Sequence, residues 1–377
     1  MLSALLLLPI CSCQSTGENN STTDESGTTI DENESKTEGG EKDMNPNVVS
    51  ILKDAKFEQG FLVRGLGQPI YGDAIEYFGD MYDPMVRFDY EKKGLRPAWN
   101  LCQWASRYPF HDKENTTFEE KNGGKTFNYR FTDKGDGVYL YENQSKTVEV
   151  NTATGEIRLA LKGSECYTQT YRTQGQEWPH LLLEQSIKAP TAETKISDCS
   201  SIRVMLDARL NAFADNMNGT GDPSLHSAIF MFYLFVANYD PNTHKSTDML
   251  WFGIPVFDNR YAYVPQMSFP DVGSKGSASG KWIFNIASSA FYREDNSFYD
   301  HENNMIFDQW VTVDVELTSR IKHALREAQN AGYMKDASWD NLYINGMYMG
   351  FEIPGNYDID MSVKNVDILM EKIPADK

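Results

Sequence analysis

Cysteine is scarce in this chain, and basic residues are outnumbered. Five cysteines occur in 377 residues, and the three beyond the N-terminal region, Cys102, Cys166 and Cys199, show no Cys-x-x-Cys spacing. An odd, widely spaced set is neither a disulfide framework nor a zinc site. Three buried thiols are expected, with one bridge and a spare thiol as the alternative. Lysine and arginine number 35 against 54 acidic residues, for a formal net charge of −19. A surface of that sign repels phosphate backbones, so no nucleic acid partner is expected. The chain also lacks a Walker loop, a Rossmann glycine pattern, Gly-x-Ser-x-Gly and His-Glu-x-x-His. Nucleotide, serine-hydrolase and zinc-protease readings therefore have no support.

The first apolar run is short. Met1 to Pro9 is mostly leucine and leads into Ile10-Cys11-Ser12-Cys13, far too few residues to span a bilayer. This ending resembles a bacterial lipobox, in which the cysteine after a small residue is lipidated and becomes the mature N-terminus. The resemblance implies a lipid anchor at Cys13, with Cys11 as the second choice, and an extracellular, membrane-anchored protein. An ordinary secretory signal is the other reading. The stretch 14–43 holds nine acidic residues, two basic ones and a single large apolar residue, Ile30. It cannot bury enough surface to offset chain entropy and is expected to be a disordered tether. It carries −7 of the net charge and leaves −12 for the rest. The expected organisation is a signal peptide at 1–12, a tether at 13–46 and one folded domain at 47–377, with 47–120 as an irregular wrap.

Beyond residue 46 the composition is globular, with 20 Phe, 20 Tyr and 7 Trp in the whole chain. No linker divides it and no fixed-period repeat appears. Strand follows strand. Thr126–Phe131 alternates, and Gly137–Tyr141 follows a Lys-Gly-Asp-Gly turn. Ile157, Leu159 and Leu161 share a face, and Val311, Val313, Val315 and Leu317 share another, with Trp310, Thr312, Asp314 and Glu316 opposite. That is the two-residue period of half-buried strands. His226–Ala237 and Met249–Phe257 are apolar on both faces, as central covered strands are. One helix is expected, capped by Thr318 or Ser319, with the stripe Ile321, Ala324, Leu325, Ala328 and a left-handed cap at Gly332. Many strands with one late helix predict an all-β sandwich of two antiparallel sheets.

The C-terminal stretch Asn341-Leu-Tyr-Ile-Asn-Gly-Met-Tyr-Met-Gly-Phe-Glu352, followed by Ile353-Pro-Gly-Asn-Tyr-Asp-Ile-Asp-Met-Ser-Val-Lys-Asn-Val-Asp367, resembles the last two strands of family 12 glycoside hydrolases. The resemblance covers about the last 70 residues by motif and implies a concanavalin A-like jelly-roll sandwich. It implies a general acid/base at Glu352. The family's nucleophile lies on a strand of pattern Glu-x-Met-Ile-Trp. The matching strand here, Ala228-Ile-Phe-Met-Phe-Tyr-Leu-Phe-Val236, has no carboxylate. Glycosidases need two carboxylates, so Glu352 cannot act alone by that chemistry.

The best second group is in Trp178-Pro-His180-Leu-Leu-Leu-Glu184. On a strand His180, Leu182 and Glu184 share a face with Trp178. An aromatic that stacks on a sugar, a histidine and a carboxylate suit carbohydrate binding, whereas a core Trp178 and a solvated Glu184 are the bland alternative. Glu352 among aromatic side chains is expected to have a raised pKa, suiting it to donate a proton, with Gly346 and Gly350 leaving room for a ligand. Trp251 and Arg260 could line the cleft, although an Arg260–Asp258 pair would be simple structural glue. Asp314 is a further candidate on its strand face. Asp240, Asp271, Asp295, Asp300 and Glu302 are loop carboxylates without EF-hand spacing; no cofactor is expected, and calcium is the one metal left open. The function expected is recognition of an extracellular polysaccharide or oligosaccharide. Hydrolysis or lyase cleavage in the same cleft is the alternative, and a non-catalytic adhesive surface protein a third.

Overall fold

The computed structural model describes residues 45–64, 86–90, 97–105, 108–110, 129–167, 172–272 and 279–374. Residues 1–44, which hold the expected signal segment with Cys11 and Cys13 and most of the expected tether, and residues 126–128 lie outside them. The alternating runs form strands β1 (Val48–Ser50), β2 (Phe61–Arg64), β3 (Val86–Phe88), β4 (Trp99–Cys102), β5 (Arg130–Gly135), β6 (Val138–Glu142), β7 (Lys146–Asn151) and β8 (Glu156–Lys162). After the one-turn helix α1 (Gly163–Cys166) come β9 (His180–Ser186), β10 (Cys199–Asp215), β11 (Ile229–Tyr239), β12 (Ser246–Asp258), β13 (Met267–Pro270), β14 (Trp282–Asn285) and β15 (Trp310–Glu316). Helix α2 (Thr318–Asn330) precedes β16 (Leu342–Glu352) and β17 (Tyr357–Lys372).

These strands make the two-sheet sandwich that the pattern predicts. One sheet has eight strands, in the order β15-β10-β17-β8-β7-β6-β5 with β1 against β17. The other has nine, in the order β13-β14-β12-β11-β16-β9-β4-β2-β3. All pairings are antiparallel except β12 with β14 and β2 with β4. The front part of the domain is not only a wrap. It supplies β1 to the first sheet and β2, β3 and β4 to the second.

The core lies between the sheets. Phe230, Phe232, Leu234 and Val236 of β11 and Met347, Met349 and Phe351 of β16 face Val204, Leu206, Ile359 and Met361 from the opposing sheet, all buried. Cys102, Cys166 and Cys199 are three separate buried thiols. Helix α2 buries the expected stripe Ile321, Ala324, Leu325 and Ala328. Its start differs from expectation. Leu317 takes the cap position without a side-chain bond, because the Thr318 hydroxyl is occupied accepting the Ile202 N–H at 3.0 Å and so ties the helix to β10. Gly332, at φ +92°, ends the helix as predicted.

One buried charge has no counterpart in the sequence pattern. Lys146 is 1% exposed and occupies the inward row of β7 with Val148 and Val150. Its ammonium donates to the Tyr108 carbonyl and lies 5.6 Å from the Phe110 ring centroid. Burial lowers its pKa to about 8, with the Cys166 charge opposing. In the unfolded chain the amine keeps its proton to about pH 10.4. Between these values the unfolded state binds more protons, so stability rises with pH. Urea unfolding between pH 8 and 10 is expected to show a gain of up to about 3 kcal/mol. Lys146→Met removes this gain.

Candidate functional site

The outward face of the nine-stranded sheet carries the site. Alternation that sends Leu181 and Leu183 into the core sends His180, Leu182 and Glu184 outward. The same parity on β16 turns Tyr348, Gly350 and Glu352 outward. Register then places His180 directly opposite Glu352 and Glu184 opposite Tyr348. On its other side β16 pairs with β11, which sets Ile229 beside Glu352 and Tyr233 beside Tyr348. Pro179 precedes β9, where no N–H is needed, and its carbonyl accepts the Ile353 N–H at 3.1 Å.

Glu352 is the centre of a hydrogen-bond cluster. Trp178 Nε1 donates to Oε2 at 3.2 Å. His180 Nε2 lies 3.5 Å from the same oxygen. The Tyr348 hydroxyl donates to Oε1 at 3.1 Å. The side chain retains 17% exposure. Burial pushes its pKa up, but the His180 hydrogen bond and charge, with the Trp178 and Tyr348 bonds, outweigh it, and the carboxyl sits below its ordinary range. The expectation of a raised pKa is therefore corrected. Three donors hold Glu352 as an anion, so it is a base, nucleophile or acceptor rather than a proton donor at neutral pH. The Tyr348 phenol moves the other way, well above its ordinary range, through burial first and then the Glu352 charge.

Aromatic rings continue the floor from this cluster. Tyr348 contacts Tyr233 at 5.1 Å and Trp251 at 5.5 Å between centroids. Phe235 meets Trp251 edge-on at 4.6 Å. Both outer aromatics are pinned from behind. The Trp251 Nε1–H donates to Ser279 Oγ at 2.9 Å, and that hydroxyl donates to Asp271 at 2.6 Å. The Arg172 guanidinium stacks 4.8 Å from the Trp178 ring and donates to the carbonyls of Gln176 and Leu225. The glycines of β16 do not open the site as anticipated. A Cβ on Gly346 would strike the Phe235 ring at 2.6 Å, and one on Gly350 the Leu181 carbonyl at 2.3 Å. They admit neighbouring protein rather than a ligand.

The remaining sequence candidates fall elsewhere. Glu184 shares the face but stands four residues from Glu352 in register, about 13 Å along the strands. It turns toward β4, accepting from Asn100 at 3.1 Å, and burial raises its pKa more than its hydrogen bonds lower it. Asp258 lies in the Glu352–Ile229 row, two strands from Glu352, or about 10 Å away. Its carboxylate is gripped by Arg260 at 2.6 Å and is 2% exposed. Arg260 is thus structural glue. Asp314 belongs to the other sheet, where it is ion-paired with Arg203, so it does not reach this cleft. Retaining and inverting glycosidases need carboxyls about 5 Å or about 6.5–9.5 Å apart; Glu184 stands beyond that along the strands, and Asp258 is committed to Arg260. The loop carboxylates serve as turn caps: Asp240 accepts the Asn242 and Thr243 amides, and Asp300 those of Glu302 and Asn304. Among the described residues no three His, Cys, Asp or Glu side chains gather as a metal would need.

Sequence reasoning missed Tyr348, Tyr233 and Phe235. Tyr348 was detectable, since residues four apart on a strand share a face. The link from Asp271, already a loop-carboxylate candidate, through Ser279 to Trp251 was not, because β14 joins β12 by a parallel, non-local pairing.

No protein-family model matches the chain, and no curated protein matches it in sequence. Among solved structures it is similar to the endoglucanase Cel12A from Rhodothermus marinus, at 10% identity and TM-score 0.32, covering 65% of this chain and 97% of that one. A family 12 xyloglucanase from Bacillus licheniformis gives 11% identity and TM-score 0.33, covering 63% and 96%. A family 11 xylanase from Neocallimastix patriciarum gives 8% identity and TM-score 0.30, covering 66% and 96%. At these values the likeness carries no argument about the site.

The Glu352 cluster sets a pH signature. A carboxyl with a depressed folded pKa adds stability above the ordinary glutamate range and loses it as pH falls through the folded value. Glu352→Gln is expected to cost about 1–3 kcal/mol at neutral pH by weakening bonds to buried donors. In urea unfolding the gap between wild type and variant narrows on acidification below about pH 4.

Proposed function

We propose that this protein recognises an extracellular polysaccharide in the cleft on its nine-stranded sheet. The observation that carries the reading is the run of ring side chains, Trp178, Tyr348, Tyr233 and Trp251, around an acceptor held as an anion, Glu352. Sugar rings present C–H faces that stack on aromatics and hydroxyls that donate to a carboxylate. Trp251 and Trp178 are pinned before any ligand arrives, which lowers the ordering cost of binding. Binding needs no second carboxylate.

A glycoside hydrolase or polysaccharide lyase acting in the same cleft is the second reading. Glu352 favours it, because an ionised carboxylate is what a nucleophile or base requires. A glycan array followed by product analysis separates the two. The expected result is capture of a glycan without cleavage. Trp251→Ala, whose ring is partly exposed, is expected to weaken capture at least about tenfold, or 1.4 kcal/mol, with the β-sheet circular dichroism spectrum of the folded protein retained at the assay temperature. Release of shortened products would replace the binding reading with the enzymatic one.

We further propose a lipid anchor at Cys13, on the strength of Ile10-Cys11-Ser12-Cys13 and the acidic stretch behind it. Stable membrane attachment takes two signals or more, which a multiply acylated cysteine supplies. Cys13→Ala is expected to move the protein to the soluble fraction. Retention of both Cys13→Ala and Cys11→Ala variants in the membrane fraction would sink the anchor.

A further inference from the structure

The strands under the cleft hold no lysine or arginine, and His180, the histidine among them, is paired with Glu352. β9, β11, β12, β14 and β16 contain no lysine or arginine at any position. The strands of the opposing sheet do, with Arg158, Arg203, Arg209 and Lys364 on their outward face. The cations nearest the floor are already engaged. Arg260 is bound to Asp258, Lys281 to Asp248 at 2.8 Å, and Arg172 to two backbone carbonyls. Arg64 of β2, whose buried Nε has no partner among the described residues, lies three strands from β16 on the Glu184 side, so next to Glu352 and the Tyr348–Trp251 rings a ligand bearing carboxylates or sulfates meets no free lysine or arginine among those residues.

What the floor does present attracts positive charge. Glu352 is anionic, and the Asp271 charge reaches the hydroxyls of both Tyr233 and Tyr348. A carboxylate has about four acceptor positions. Trp178 and His180 take those of Oε2 and Tyr348 takes one on Oε1, which leaves one on Oε1. Ring faces of Trp and Tyr draw cations by their quadrupoles. Covering Glu352 with a neutral sugar would strip its remaining water and leave its charge uncompensated by the ligand. An ammonium would return a hydrogen bond in which both partners are ionised, adding the attraction of opposite charges in a partly desolvated site.

Resting on the carbohydrate-recognition reading, we propose that the ligand is an amino-sugar polymer with free ammonium groups, one ammonium bonding Glu352 Oε1 while its ring stacks on the Tyr348–Trp251 surface. Calorimetric titration with equal-length oligomers of glucosamine, N-acetylglucosamine, glucose and a uronic acid tests this, at a pH where the free amine is protonated. The glucosamine oligomer is expected to bind about tenfold or more tighter than its acetylated form, with the preference shrinking as salt rises. Glu352→Gln is expected to bring the two toward parity. If that variant does not fold, the salt series on the wild type decides. Equal or tighter binding of the acetylated, neutral or acidic oligomer overturns this inference and leaves carbohydrate recognition standing. Failure of every oligomer to bind overturns both.

Discussion

The inward row Phe230, Phe232, Leu234 and Val236 of β11 is the constraint on which the cleft depends. These side chains are fully buried against the eight-stranded sheet. A one-residue slip would put them on the surface, so the register is held by the whole apolar core. Once it is held, parity leaves no freedom for the other face. Tyr233 and Phe235 must point outward, β16 must set Tyr348 beside Tyr233, and β9 must set His180 beside Glu352. The site is a by-product of burying the opposite side of the same strands.

A carboxylate at that position has an electrostatic problem, and the structure answers it locally. Burial alone would raise the Glu352 pKa, yet three neighbours donate to it or pair with it. The donors come from β16 itself, from β9 and from the segment just before β9. That segment is braced in turn: Arg172 stacks on Trp178, and the buried His226 bonds the Arg172 carbonyl at 2.7 Å. Loops on the sandwich rim thus position a cleft group several contacts away. On the far side the Asp271–Ser279–Trp251 chain does the same.

Charge is divided between the sheets. Apart from the inward Lys146, the outer face of the eight-stranded sheet compensates arginines in place, through Arg158–Asp360, Arg209–Glu156 and Arg203–Asp314. Arg209 and Lys364 also flank Trp310, at 4.5 and 4.0 Å from its ring centroid. That face is a self-satisfied ionic surface. The central strands of the nine-stranded sheet carry no lysine or arginine of their own: Asp248 and Asp258 of β12 pair with Lys281 and Arg260 from outside the strands, whereas Glu352 relies on the N–H and O–H donors of Trp178 and Tyr348 and on His180. Ions neutralised by neighbours ask little of a ligand, whereas a carboxylate held only by side-chain donors keeps its charge for one.

The sequence by itself determined the sandwich, because alternation of period two and a single 3.6-period helix are local properties that survive any arrangement of the strands. It also determined that Trp178, His180 and Glu184 would share a face, and that the Ala228–Val236 strand would bring no carboxylate to it. Only the tertiary structure decided which faces meet. It brought Trp178 and His180 to Glu352, carried Asp314 to the opposite sheet, set Glu184 too far along the strand, and bound Arg260 to Asp258. It also reversed the charge state expected of Glu352, since the sequence shows the aromatics that desolvate a carboxyl but not the three groups that converge on it. Convergence depends on strand order and register over 174 residues of separation, and no local pattern encodes that.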